Sequence, residues 1–208
     1  GLYSAERLTD LIKSNANFGR TFYAPVSDIL NAELHPMGCA VLPEVYVNKN
    51  DADFYGAAVI KDGLSDIKLT NEQLKGFLIF SDKFQCKSRL VVSTSDNIPV
   101  EITDSKSCVT AKNSNGKLLV EAKIKLRIKA PESCPDLHKA ANDVCTAVRN
   151  NCISAYSETA WQNGADIFGI CSEIRRGCPE LIEDIGEEEF AELLKNSILT
   201  VKVSALSA

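Results

Sequence analysis

The clearest pattern in the chain is KLLVEAKIKLRIKA, residues 117–130. Leu118, Val120, Ala122, Ile124, Leu126 and Ile128 alternate without a break with Leu119, Glu121, Lys123, Lys125, Arg127 and Lys129. A period of two puts successive side chains on opposite faces of a strand, so the segment predicts one buried face and one polar, mostly cationic face. Lys123, Lys125, Arg127 and Lys129 would project together, roughly 6–7 Å apart along the strand. Asn115-Gly116 just upstream suits a type I′ hairpin turn, whose two central residues take positive φ. The partner strand is then IPVEITDSKSCVTAK (98–112), itself joined through an Asp96-Asn97 turn to CKSRLVVSTS (86–95). The three segments predict an antiparallel sheet with one face packed and the other open to water.

The period lengthens after Pro135 and Asp136. Leu137, Ala141, Val144, Val148, Cys152 and Ala155 step by three or four, the apolar stripe of a long helix. It would run to about Gln162, roughly 40 Å at 1.5 Å per residue, and stop at Asn163-Gly164. Shorter helices follow at about 165–176 and 187–196, then a strand in which Leu199, Val201 and Val203 alternate. Upstream, Leu8, Leu11 and Ile12 mark a helix over Ser4–Asn15, and Pro25 opens a short one through Leu30. Residues 39–48 and 53–60 read as strands, with Pro43 placing the first at an edge or a bulge. A helix over 69–80 is signalled by Thr70 as N-cap and Gln73 in capping-box register. The predicted class is α+β: an antiparallel β-sheet packed on one face by a long α-helix and shorter C-terminal helices, preceded by a small mixed α/β segment. The expected division is 1–52, the end of a preceding domain, and 53–208, the α+β domain.

Composition narrows the function. With 208 residues, 45% hydrophobic and 25% charged, the chain is an ordinary globular one that needs no disulfide or metal to hold a core. A net charge of −5 argues against nucleic acid as the main partner, since that role needs clustered cations. No apolar run approaches the ~20 residues of a membrane span. The opening GLYSAERL has neither Met nor a basic apolar leader and reads as the start of an excised piece of a longer protein. Eight cysteines are present, none in CxxC spacing, and the two histidines are His35 and His138, so the expectation is no metal site and thiols packed as small hydrophobes. Cys145 and Cys152, seven apart on one helix, lie ~10 Å apart along its axis and cannot pair. Cys171 and Cys178, either side of Gly177, are a conceivable pair, since the glycine can break the helix and turn the chain.

The order of motifs resembles the C-terminal region of the Ger(x)C family, the C subunits of spore nutrient germinant receptors. The resemblance rests on YGAAVIKDGL (55–64), matching the family's G-x-A-V-F/I-K-D-x-L segment from Gly56 through Asp62 to Leu64. It rests also on DIFGI after the long helix: Asp166, Ile167, Phe168, Gly169 and Ile170. An acidic helix with Phe190 and the strand SILTVKVSA (197–205) follow in family order, so the match spans about residues 50 to 206. The chain departs from the family in lacking tryptophan around 180–190; its one Trp is Trp161. The resemblance implies a non-enzymatic subunit without cofactor, at the outer surface of the spore inner membrane. It implies a lipid anchor upstream of this chain, and the receptor's A and B subunits as partners.

The candidate residues divide into scaffold and surface. In GADIFGICSEIRRG (164–177), Asp166 is placed as a first-turn acid, Ile167, Phe168 and Ile170 as core anchors, and Gly169 as a helical glycine in close contact with a neighbouring element. No catalytic residue is assigned, because Cys171 has no histidine near it in sequence to act as base. His35 and His138 read as ordinary, partly exposed side chains. The candidate interaction surface is Lys123, Lys125, Arg127 and Lys129, which would face an acidic partner or anionic lipid head groups, or simply water. The acidic stretch Glu183 to Glu192 is a second possible contact surface, or simply an exposed helix with Phe190, Leu193 and Leu194 inward. Two other functions compete with the subunit reading: a small-molecule module with its site between the first segment and the main domain, and a thiol-redox protein using Cys171 and Cys178.

Overall fold

The computed structural model describes residues 5–16, 20–22, 24–27, 29–30, 38–48, 51–61, 63–83, 90–114, 116–177, 179–182 and 185–207. Helix α1 (Ala5–Ala16) precedes a three-stranded sheet of order β1-β2-β3: β1 (Ala40–Asn48), β2 (Asp51–Lys61) and β3 (Leu64–Leu69). Both pairings are antiparallel. The register of β1 on β2 shifts between Pro43 and Val45. Pro43 faces Ala57 and Val45 faces Phe54, so Tyr55 and Gly56 together oppose Glu44. This is a bulge on β2, and Gly56 takes φ +97 there. A side chain at that position would run into the backbone carbonyl of Leu69, so both the conformation and the crowding demand glycine. The expected boundary at 52/53 falls inside β2, whose residues on both sides of it pair with β1.

Strand β3 did not register in the hydrophobic pattern. The signal that marks it is the Asp-Gly dipeptide at 62–63, a strong hairpin cue; Asp62 itself lies outside the described residues. Helix α2 (Asn71–Phe80) begins as its capping box predicts: the Gln73 N–H donates to Thr70 Oγ1 at 3.3 Å and the Thr70 N–H to Gln73 Oε1 at 2.8 Å. Leu74, Phe77, Leu78, Ile79 and Phe80 are buried.

The second sheet has the order β4-β5-β6-β7: β4 (Leu90–Ser93), β5 (Pro99–Ser114), β6 (Lys117–Lys129) and β7 (Ile198–Ser207). Strands β4, β5 and β6 form the expected meander. Asn97 sits at φ 59 in the first turn and Gly116 at φ 76 in the second, while Asn115 is outside the described residues. Strand β7 runs parallel to β6, in register from Leu119↔Ile198 to Ile128↔Ser207. A parallel neighbour needs a crossover connection, and three helices supply it.

The first of them is α3 (Leu137–Tyr156), capped by Asp136, whose carboxylate accepts from the Lys139 N–H at 2.9 Å. Its buried stripe starts at Ala140 and continues through Val144, Val148, Cys152, Ala155 and Tyr156. The sequence places Leu137 and Ala141 on that stripe, but Leu137 is exposed and Ala141 half-buried. The reason is polar: the helix start is tied to the β4–β5 turn by Lys139 to Asp96 and by Asp143 to Ser95, and the apolar contact begins one turn later. After Tyr156 the helix widens into a π turn, Ser157–Trp161, and stays helical to residue 163. Gly164, at φ +59, then ends it. Helix α4 (Ile170–Gly177), a 3₁₀ turn (Pro179–Leu181) and α5 (Glu187–Lys195) lead to β7.

The core joins these layers. Leu118, Val120, Ala122, Ile124, Leu126 and Ile128 are all buried, as their alternation predicts. Helices α2 and α3 lie so close that a Cβ on Gly76 would overlap the backbone of Asn151 and stand 2.7 Å from the Cys152 nitrogen. The Cys152 thiol fills the same contact, donating to the Gly76 carbonyl at 3.5 Å. The architecture is α+β, with sheets of mainly antiparallel strands packed against helices.

Candidate functional site

The β6 face that does not enter the core is open. Leu119, Lys123, Lys125, Arg127 and Lys129 are exposed, and Glu121 is half-buried. Register supplies their neighbours, because residues directly opposite share a face. Lys123 stands between Cys108 of β5 and Lys202 of β7. Lys125 stands between Lys106 and Ser204. Arg127 faces Asp104, and Lys129 faces Glu101. The four cations predicted from one strand are thus the centre of a wider cationic face, extended by Lys106 and Lys202, which single-strand periodicity could not place beside them. Glu121 accepts from Lys202 at 2.5 Å and from Lys123 at 3.3 Å, and these two ammonium groups hold its carboxyl below the usual carboxylate range. Lys106, Lys125, Arg127 and Lys129 make no ion pair among the described residues.

The DIFGI segment lies on the other side of the sheet, in the helical layer. Phe168 centres an aromatic cluster: its ring is 4.4 Å from Phe80, 5.5 Å from Tyr156 and 6.0 Å from Phe77, centroid to centroid. It therefore clamps α2 to α3. Ile167 and Ile170 are buried beside it. The buried Asp166 carboxylate accepts from the Ile170 N–H at 2.9 Å and the Cys171 N–H at 2.7 Å, the first amides of α4. It thus satisfies donors that have no partner inside the helix. Burial raises its pKa, and the backbone hydrogen bonds from Cys171, Ile170, Phe168 and Gly169 oppose that rise without cancelling it. Gly169 differs from its expected role. It precedes α4 rather than lying within it, has φ +73, and has open space where a Cβ would sit. Backbone conformation, not close packing, calls for glycine there.

Three thiols are shifted away from activation. Burial pushes Cys152 up to about 12 and also raises Cys145 and Cys171, whereas a reactive cysteine needs a lowered pKa. Cys178 and His35 lie outside the described residues. His138 is exposed, with Asn142 3.1 Å from its Nδ1. Among the described residues no group of three or more His, Cys, Asp or Glu is placed to hold a metal ion, and no helix is long and apolar enough to cross a membrane.

One groove was not legible in the sequence. Glu44, Val45 and Tyr46 of β1, Tyr55 of β2 and Lys68, Leu69 and Thr70 at the end of β3 enclose about 500 Å³. The Gly56 bulge sets Tyr55 on the exposed side of β2, with its ring 6.0 Å from Tyr46 at an interplanar angle of 77°. Lys68 and Glu44 form an ion pair of 2.7 Å at its edge.

Comparison with known proteins agrees with the order of elements. The family model described as spore germination B3/GerAC like, C-terminal, matches residues 55–206. Among solved structures, the crystal structure of the GerBC protein superposes with a TM-score of 0.74 at 15% identity, over 87% of this chain and 59% of that one. The chain therefore spans about three-fifths of the length of that relative. No curated protein matches. Bulged Gly56, the Asp166–Gly169 segment between the long helix and α4, and the closing strand β7 up to Leu206 fall within the matched stretch, and the chain belongs to the spore germination B3/GerAC-like family by its C-terminal region.

Proposed function

We propose that this chain is part of the C subunit of a spore nutrient germinant receptor, and that it acts in receptor assembly or germinant signalling without making or breaking a bond. The observation that carries this is the family match over 55–206. The fold shared with GerBC supports it. The segment before the matched stretch is the end of a preceding part of the subunit, joined to the C-terminal region through the pairing of β1 with β2. The partners are the receptor's A and B subunits, and the protein sits at the outer surface of the spore inner membrane, held by a lipid anchor upstream of this chain. Gly56, Asp166, Ile167 and Phe168 serve the fold through the contacts described above, Gly169 serves it through its backbone conformation, and Asp62 belongs to the same motif as Gly56. The raised thiol pKa values of Cys145, Cys152 and Cys171 favour a non-catalytic role over thiol-redox chemistry.

The test is germination of spores lacking the full-length gene, exposed to nutrients and separately to a trigger that bypasses nutrient receptors. The expected result is loss of the nutrient response alone, restored by the gene. Normal nutrient germination, with no paralogue to cover the loss, would remove the function and leave the fold. The groove lined by Tyr46, Tyr55, Glu44 and Lys68 favours a second reading, a binding module for a germinant or modulator. A saturable thermal shift with an amino acid, lost in Tyr55→Ala, supports that reading; a flat panel rejects it.

A further inference from the structure

We propose that the open face of the β4–β7 sheet is a docking surface for an anionic lipid bilayer. The proposal deepens the reading of the chain as a membrane-side subunit. Its test uses the protein alone, so that failure of the surface and failure of the receptor role are told apart.

The first argument is charge segregation. The chain carries a net charge of −5. Among the described residues of this face, Lys106, Lys123, Lys125, Arg127, Lys129 and Lys202 confront Glu101, Asp104 and Glu121. Lys112 and Lys117 extend it to the β5–β6 hairpin. The acidic first turn of α5, Glu187, Glu188 and Glu189, lies instead in the helical layer. A protein that is acidic overall yet carries a cationic patch centred on one strand of a sheet face orients itself in a negative field. The surface potential of an anionic leaflet is such a field, and it attracts clustered lysines within about a Debye length.

The second argument is the kind of cation. Of the eight, only Arg127 is arginine. Protein–protein interfaces are enriched in arginine and depleted in lysine, because the guanidinium fork binds a fixed carboxylate in two places whereas an ammonium is a mobile, hydrated point charge. A lattice of lysines suits head groups that have no fixed positions. The side chains here are free to adapt: Lys123 and Lys202 keep more than half of their surface exposed even while reaching Glu121.

The third argument is the apolar margin. Leu119 and Ile198, paired across β6 and β7, are exposed at one end of the face, and Leu206 is 71% exposed towards the other. Exposed apolar residues bordering a cationic centre match the layered polarity of a bilayer interface, where lysine stems lie along apolar surface and their charges reach the phosphates.

The test is sedimentation of the chain with phosphatidylcholine vesicles, with and without about one-third phosphatidylglycerol, at two salt concentrations. Wild type is expected to bind the anionic vesicles at least about tenfold more tightly than the neutral ones, and to be released as the Debye length shrinks from ~10 Å at 0.1 M to ~3 Å at 1 M salt. Lys106→Gln/Lys125→Gln/Lys129→Gln removes three exposed cations that make no ion pair among the described residues and is expected to weaken anionic-vesicle binding at least about tenfold, with unchanged melting. Arg149→Gln/Arg176→Gln/Lys195→Gln, the same loss of charge on the helical side, is expected to stay within about threefold of wild type. Three results overturn the proposal: no binding to anionic vesicles, equal weakening by both triple variants, or binding indifferent to salt. Wild type that ignores vesicles but loses its partner subunits on the first triple substitution would make the face a protein interface instead.

Discussion

Gly76 sets how closely α2 and α3 approach, and Gly76→Ala tests this directly. The added Cβ would meet the Asn151 carbonyl group and stand 2.7 Å from the Cys152 nitrogen. Carbon and its non-bonded neighbours prefer roughly 3.5–4.0 Å, so the helices must separate by about 1 Å. The obstacle is backbone, which cannot rotate away as a side chain would. Overpacking of a core costs about 1–3 kcal/mol, and the rigid obstacle places this case near the upper end. Alanine is the better helix former by about 1 kcal/mol, which offsets part of the cost. The net loss is then about 2 kcal/mol, and at about 2–4 °C per kcal/mol for a chain of this size the melting temperature should fall by about 4–8 °C. Gly177→Ala is the control, since it ends α4 with nothing near its would-be Cβ. It should leave the melting temperature unchanged or raise it, by up to about 1 kcal/mol of stability. Paired thermal and urea denaturation measures both. If Gly76→Ala melts at or above wild type, α2 and α3 separate at no cost and the reasoning fails.

Two further outcomes follow from buried titratable groups. Asp166 has a folded pKa above its ordinary value, chiefly through desolvation, so its contribution to stability is full below the ordinary carboxyl range and is lost as pH rises through the raised value. Asp166→Asn cannot ionise, so the stability of wild type minus that of the variant should shrink from acid to neutral pH; denaturation curves showing a constant or growing difference would refute this. Cys152, buried and pushed up to about 12, should resist alkylation until the protein unfolds, while exposed Cys108 is modified in the native state. Mass spectrometry of protein alkylated with and without denaturant reads both sites, and native labelling of Cys152 at the rate of Cys108 would contradict the packing described.

What was legible in the sequence was what is local. The alternation over 117–130 identified the buried and open faces of β6, because a period of two needs no knowledge of the partner strand. The Thr70–Gln73 capping box is likewise complete within four residues. Long-range facts were hidden. That Lys106 and Lys202 flank the β6 cations depends on register, and that β7 is parallel depends on the crossover. The first turn of α3 was misphased because Lys139 and Asp143 bind the β4–β5 turn, a contact no helical period announces. Gly169 was misread for a subtler reason: a glycine beside a helix looks the same in sequence whether packing or backbone conformation requires it, and here it is the conformation.

The parallel pairing of β6 and β7 has a consequence in time. Translation delivers β6 well before β7, with α3, α4 and α5 made between them. Until β7 arrives, the backbone groups along one side of β6 are an unpaired edge carrying a row of buried-type side chains, the kind of template that recruits another chain. Closure is also topologically late, because the loop joining Leu119 to Ile198 must be drawn together before a single hydrogen bond of that ladder forms. The end of α3 prepares the landing. Ser197 donates to the Leu194 carbonyl, receives the Tyr156 hydroxyl at 2.9 Å, and offers its own carbonyl to the Trp161 indole at 3.0 Å. These bonds fix the residue immediately before β7 against the helix that crosses the sheet. The π turn that carries Trp161 thus helps to set where the last strand enters its sheet, beside the β6 edge that stays unpaired until β7 docks.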